Sequence, residues 1–155
     1  MRMLAGLLLL TCLLLATASE TRAAGSITEY VLPQPDSPIQ LSNCKAGVQF
    51  LQNRWGTNSS NLVTGADFKN VSGKMAIEIV VGVRLSNALG TVMDTILNQS
   101  TGKFSPGAEI DGNTWSQTDS WPGLGEVRCS VARVLFSDGS DWNAPAGLPK
   151  PSLSP

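Results

Sequence analysis

Apolar residues alternate with polar or small ones in two long runs. From Met75 to Leu85, Ile77, Ile79, Val81, Val83 and Leu85 fall on one face and Ala76, Glu78, Val80, Gly82 and Arg84 on the other. That period of two is what a half-buried strand requires. From Val127 to Phe136, Val127, Cys129, Val131, Arg133 and Leu135 alternate with Arg128, Ser130, Ala132, Val134 and Phe136, which turns Cys129 inward beside Val127 and Val131. Shorter candidates are Ile39 to Cys44, Ala46 to Leu51, Leu62 to Phe68, Thr91 to Leu97 and Glu109 to Trp115, parted by stretches rich in Gly, Asn, Asp and Ser. Those separators are turn chemistry, as at Ser72-Gly73-Lys74, Asn87-Ala88-Leu89-Gly90 and Ser105-Pro106-Gly107. At Asp138-Gly139 the chain is expected to fold back so that Trp142 lies across from the last long strand. No segment holds a helical period for more than a couple of turns. The expectation is a single all-β domain, an immunoglobulin-like antiparallel β-sandwich of about seven strands.

The two ends read differently. Met1, Arg2 and Met3 lead into an apolar run from Leu4 to Leu15, followed by the small residues Ala16-Thr17-Ala18. This is the pattern of a secretory signal peptide over 1–18, with a second cleavage possibility after Ala23. The run is too short to anchor in a bilayer, so no membrane insertion is expected once it is removed. Residues 24–38 carry Pro33, Pro35 and Pro38 and read as an extended lead-in. Residues 144–155 carry Pro145, Pro149, Pro151 and Pro155 among small residues and read as a flexible tail. The folded domain is then 39–143 in a secreted or periplasmic protein.

Export changes how the cysteines are read. Cys12 sits inside the apolar run and leaves with the leader, so Cys44 and Cys129 remain as an even pair in an oxidising compartment. They read as one disulfide joining the first strand to the last, two buried thiols being the alternative. From Ala24 onward nine Lys and Arg stand against eleven Asp and Glu. With no basic cluster there is nothing to grip phosphates, which excludes a nucleic-acid partner.

The segments Phe68-Lys69-Asn70-Val71-Ser72-Gly73-Lys74, Leu89-Gly90-Thr91 and Phe104-Ser105-Pro106-Gly107, with Ile110 behind them, give a likeness over Phe68 to Trp115. This stretch resembles the FxLYD-type immunoglobulin-like β-sandwich modules of exported bacterial proteins. Ser86-Asn87-Ala88 departs from the pattern, which often has an aromatic-Asp pair there. The paired cysteines and Phe136-Ser137-Asp138-Gly139 before Trp142 are similar to a small group of exported bacterial proteins without assigned activity. The resemblance implies extracytoplasmic placement and a binding or scaffold role, and it carries over no catalytic residue.

Candidate chemistry is sparse. The chain has no histidine, which removes the commonest general base and every Ser-His or Cys-His arrangement. Glu109 and Asp111, two apart on an expected strand, have the spacing of a paired-carboxylate site in a small hydrolase or carbohydrate-active protein; solvated residues beside a turn are the plainer reading. Asp138, Ser140 and Asp141 offer three or four oxygens, about half of what calcium takes, and a hairpin turn is favoured. No Gly-rich cofactor loop is present, so no cofactor is expected. Of four tryptophans, Trp55 and Trp121 lie in expected loops where flat rings can meet a protein or carbohydrate ligand. Trp115 and Trp142 end strands and are expected in the core. Sequons stand at Asn58, Asn70 and Asn98. The leading reading is a monomeric, non-catalytic binding or scaffold module, with a surface assembly subunit pairing through an edge strand as a further alternative.

Overall fold

The computed structural model describes residues 26–52, 58–118 and 121–145, apart from the side chains of 50–52, 58 and 59. The expected signal peptide with Cys12, Trp55 and the tail from 146 lie outside the described residues. Eight strands follow in order: β1 (Thr28–Val31), β2 (Ile39–Gln52), β3 (Asn58–Asn70), β4 (Ala76–Asn87), β5 (Val92–Phe104), β6 (Glu109–Thr118), β7 (Leu124–Phe136) and β8 (Asp141–Asn143). They form two packed sheets, one ordered β1-β7-β4-β5 with β8 also on β7, the other β2-β3-β6. The all-β sandwich is as expected from the alternation, and its strands are eight rather than seven.

Three differences explain that count. Ile39 to Leu51 is one strand with a bulge at Ser42, not two. β8 is the closing hairpin, with Trp142 opposite Val134. β1 lies inside the segment read as a lead-in, and it pairs with β7 in parallel, so the sandwich is not wholly antiparallel. Only Val31 of its four residues is turned from solvent. A strand so short and so exposed carries no alternation to detect.

The inner faces meet in one core. Ile79, Val81, Val83 and Leu85 of β4 and Val127, Cys129 and Val131 of β7 pack against Ile39, Cys44, Leu62, Ala66 and Phe68 of the other sheet, all fully or nearly fully buried. Each such aliphatic side chain contributes about 1.5–3 kcal/mol on burial. Two bulges shift the alternation expected from sequence. Ile77 bulges from β4, so Ala76 rather than Ile77 is buried. Ala132 bulges from β7, so Val134 and Phe136 turn inward and Arg133 and Leu135 outward. The bulge takes Arg133 off the apolar face where a strict period of two had placed it, sparing the core an uncompensated charge.

The disulfide Cys44–Cys129 crosses between the sheets with Cα atoms 5.7 Å apart. It links β2 to β7, the second and seventh strands, rather than the first to the last.

Side chains take up several backbone groups at or near the sheet edges. Along the outer edge of β7, β1 covers Glu126 to Cys129 and β8 covers Arg133 to Leu135. The gap is filled by Gln34, whose amide donates to Val131 O at 2.9 Å and accepts from Val131 N at 2.6 Å. One side chain thus imitates a strand residue. Glu29 accepts the Ala46 N–H of β2 at 2.7 Å, Trp115 donates its indole N–H to Gln99 O of β5 at 3.2 Å, and Asp94 accepts Thr95 N–H at 2.6 Å. Unpaired edge groups are where foreign strands add, and these are occupied.

Candidate functional site

Two bulges converge on one aspartate. Across β3 from Asp67, β2 bulges at Ser42 and β6 bulges at Asp111 and Gly112, with Gly112 at φ 70°. Each bulge releases a backbone N–H from the ladder, and such groups need partners. Asp67 Oδ1 accepts the Gly112 N–H at 2.7 Å; its Oδ2 accepts from Asn43 Nδ2 at 3.0 Å and Lys45 Nζ at 3.2 Å. Asn43 Oδ1 in turn accepts the Cys44 N–H at 2.9 Å. The Gly112 hydrogen bond, then Asn43 and Lys45, hold the Asp67 carboxyl below its ordinary value.

This double bulge places the expected carboxylate pair. Glu109 and Asp111 line one polar depression of about 250 Å³ with Gln40, Ser42, Phe68 and Lys69. Lys69 Nζ lies 2.6 Å from Glu109 Oε1, and this hydrogen bond and charge hold Glu109 below the usual carboxylate range. Glu109 is therefore an ionised partner of a lysine and has no proton to donate as a general acid.

The other sequence candidates are committed to the fold. Asp138 accepts from the Ser140 N–H and hydroxyl and pairs with Lys74 Nζ at 2.8 Å, so the loop once weighed for calcium is a capped hairpin turn. Lys74 first, then Ser140, keep its carboxyl well below the usual range. Among the described residues no three acidic or cysteine side chains are grouped to hold a metal. Trp121, a candidate ligand contact, lies between β6 and β7 and is partly buried against the core, as are Trp115 and Trp142. The Trp121 indole N–H is itself buried without a partner. Two sequons are structural: Asn70 is 1% and Asn98 5% exposed. The Asn70 amide donates to Lys74 O and Phe104 O, each at 2.8 Å, and Asn98 donates to Thr64 Oγ1 at 2.9 Å. A glycan on either does not fit the native state. The third asparagine, Asn58, is among those whose side chains are not described.

Two surfaces had no sequence signal. The first is a cleft of about 540 Å³ where the β1–β2 connection passes the end of β2, walled by Val31, Leu32, Pro33, Ile39, Leu41 and Val71. Of its polar members, Gln34 is engaged by Val131 and Ser37 by Ile39 O at 2.7 Å, while Gln40 is exposed. The second is the outer face of the five-stranded sheet, where Arg84 of β4 stands directly opposite Arg128 of β7. Arg128 is held by Glu126 at 2.6 Å, which raises its pKa further, and lies 5.6 Å from the Tyr30 ring centroid. Tyr30 was hidden because β1 was, and the arginine pair because it depends on register.

Compared with known proteins, the chain matches no family, no curated protein and no solved structure.

Proposed function

We propose that the chain is an exported, non-catalytic β-sandwich that serves as a binding or scaffold module for a protein or carbohydrate ligand. The observation that carries this reading is the lining of its large cleft, which is apolar side chains, prolines and uncharged polar groups, with no ionisable side chain among the described lining residues. Such a surface recognises by shape and excluded water and offers no proton to move. The polar depression points the same way, since its Glu109 is neutralised by Lys69.

Export is supported by the leader pattern, by the disulfide, which persists in oxidising compartments, and by the resemblance to exported sandwich modules. No helix among the described residues is long and apolar enough to cross a membrane. The edge groups taken up by Glu29, Asp94 and Trp115 support a monomer over an edge-paired assembly subunit. Light scattering across concentrations tests this, and growth of a dimer or polymer would refute it.

The functional test pairs two assays on the mature protein. Peptide and glycan arrays should register saturable binding, and chromogenic glycosides and esters should remain intact. A hydrolytic activity abolished by Asp111→Asn or Glu109→Gln would overturn the reading in favour of a carboxylate-dependent hydrolase.

A further inference from the structure

The outer faces of the two sheets differ in kind. On the three-stranded sheet the outward positions of β2 and β6 include Lys45, Gly47, Thr114, Ser116 and Thr118, small or polar, with Val63 of β3 an aliphatic among them. On the five-stranded sheet they include Val80, Leu97, Arg84, Arg128 and Tyr30. Tyr30 is 47% exposed, and Val92 at the margin 42%. Arginine, tyrosine and branched aliphatics on one open face are the composition of a protein-binding surface.

Charge identifies the partner. Like charges directly opposite on neighbouring strands destabilise a sheet, and Arg84 faces Arg128. Arg128 is compensated by Glu126, which receives two of its N–H groups at 2.6 and 3.2 Å. The remaining arginine of this face, Arg133, has Glu78 and Asp141 at 3.7 and 3.8 Å. Arg84 has no ion pair or hydrogen-bond partner for its guanidinium among the described residues. Next to this pair, Gly82 and Ser130 face each other. Ser130 is 1% exposed, lies on the outward side of β7 between inward Cys129 and Val131, and has no side-chain hydrogen bond among the described residues. An uncompensated guanidinium and an unpartnered hydroxyl thus adjoin on one face, beside apolar Val80 and Leu97.

We propose that this face, centred on Arg84, docks an acidic polypeptide surface. A partner carboxylate takes two parallel N–H bonds from Arg84, while apolar partner side chains cover Val80 and Leu97. The carboxylate also offsets the Arg84–Arg128 repulsion, so the free protein is less stable than the complex by that term. A saccharide fits less well, because Arg128 already stacks on the Tyr30 ring that a sugar would use.

The proposal rests on the binding-module reading and can fail separately from it. The mature protein, labelled with ¹⁵N, is titrated with a glutamate–tyrosine copolymer and, in parallel, with heparin. The copolymer is expected to shift amides around Arg84, Thr95, Leu97 and Ser130. Arg84→Gln should weaken its binding about tenfold or more, and Lys103→Gln, elsewhere on β5, by less than about twofold. Arg84→Gln should melt no lower than the native protein, since it removes an opposed charge; a lower melting temperature would make Arg84 a structural residue and overturn the assignment. Heparin saturating this face while the copolymer leaves it unshifted would overturn it in favour of a sulfated saccharide. Shifts confined to the cleft or to the other sheet overturn this surface and leave a binding module standing. Cleavage of either probe overturns both.

Discussion

Breaking the Cys44–Cys129 bridge should cost about a third or more of the stability of the fold. The bridge spans a sequence separation of 85, and closing a loop of that length in the unfolded chain is worth about 4–5 kcal/mol at 25 °C in the chain-entropy account. Domains of this size have net stabilities of about 5–15 kcal/mol, so the expected loss lowers the melting temperature by roughly 15–25 °C. The sulfurs also lie in the core, with Cys44 at 2% and Cys129 at 0% exposure. Reduction with alkylation blocked isolates the cross-link, because both sulfurs remain. The Cys44→Ala, Cys129→Ala double variant adds the loss of packing and should be about 1–2 kcal/mol weaker still. Urea unfolding of all three forms reads both quantities, and the oxidised form should show the smaller m-value because its unfolded chain stays looped. A reduced protein within about 1 kcal/mol of the oxidised one would refute the reasoning, since loop closure alone predicts several times that.

Four further outcomes are expected. Asp67→Ala should cost about 2–3 kcal/mol by leaving the Gly112 N–H and the Asn43 amide without their acceptor. Because the folded-state pKa of Asp67 is lowered, its contribution is full above about pH 4 and is lost as the pH falls through the folded value; Asp67→Asn should flatten the acid limb of a stability–pH curve, and an unchanged limb would refute this. Asn70→Ala should cost roughly 3 kcal/mol in denaturant unfolding, since it deletes the donors to Lys74 O and Phe104 O and the acceptor for Ser72 N–H from a buried site. Gly125→Ala places a Cβ 2.6 Å from the Ala88 Cα and, needing a backbone shift, should cost about 1–3 kcal/mol in the same assay. Gln34→Ala should accelerate hydrogen exchange at the Val131 amide by about tenfold, while amides of β4 stay protected.

What could be read from the chain was what is local. The alternation in β4 and β7 survives as long buried rows because both strands are interior to their sheet and packed on one face. The even cysteine pair was legible for a similar reason, since its two positions fall on inward faces of strands that had been found. The phase slips were less legible, although Arg133 among Val127, Cys129 and Val131 was the sign, because a charge on a core face asks for a bulge. β1 left no trace, its pairing being with residues about a hundred positions away and its side chains mostly in water. The carboxylate pair was correctly brought to one depression, but its ion pair with Lys69 depends on β3–β6 register, which no local pattern encodes. Trp121 could be placed in a loop by the proline and glycine that follow it, but how far it packs under that loop depends on tertiary contacts that no local pattern encodes.

Where the molecule can engage a partner follows from where its polar groups are already spent. A β-sandwich offers edges, faces and end loops. Its edges carry the strongest generic attraction, a row of backbone donors and acceptors, of which Glu29, Asp94 and Trp115 occupy single groups on β2 and β5 from within the chain. In the depression beside the double bulge Glu109 is paired with Lys69, and at its turn Asp138 is paired with Lys74. Of the described arginines, Arg128 and Arg133 are ion-paired and Arg84 is not, on a face that also exposes Tyr30. Uncompensated charge beside exposed apolar area costs the free protein stability and solubility, and a partner that supplies both a carboxylate and apolar cover relieves the two costs together.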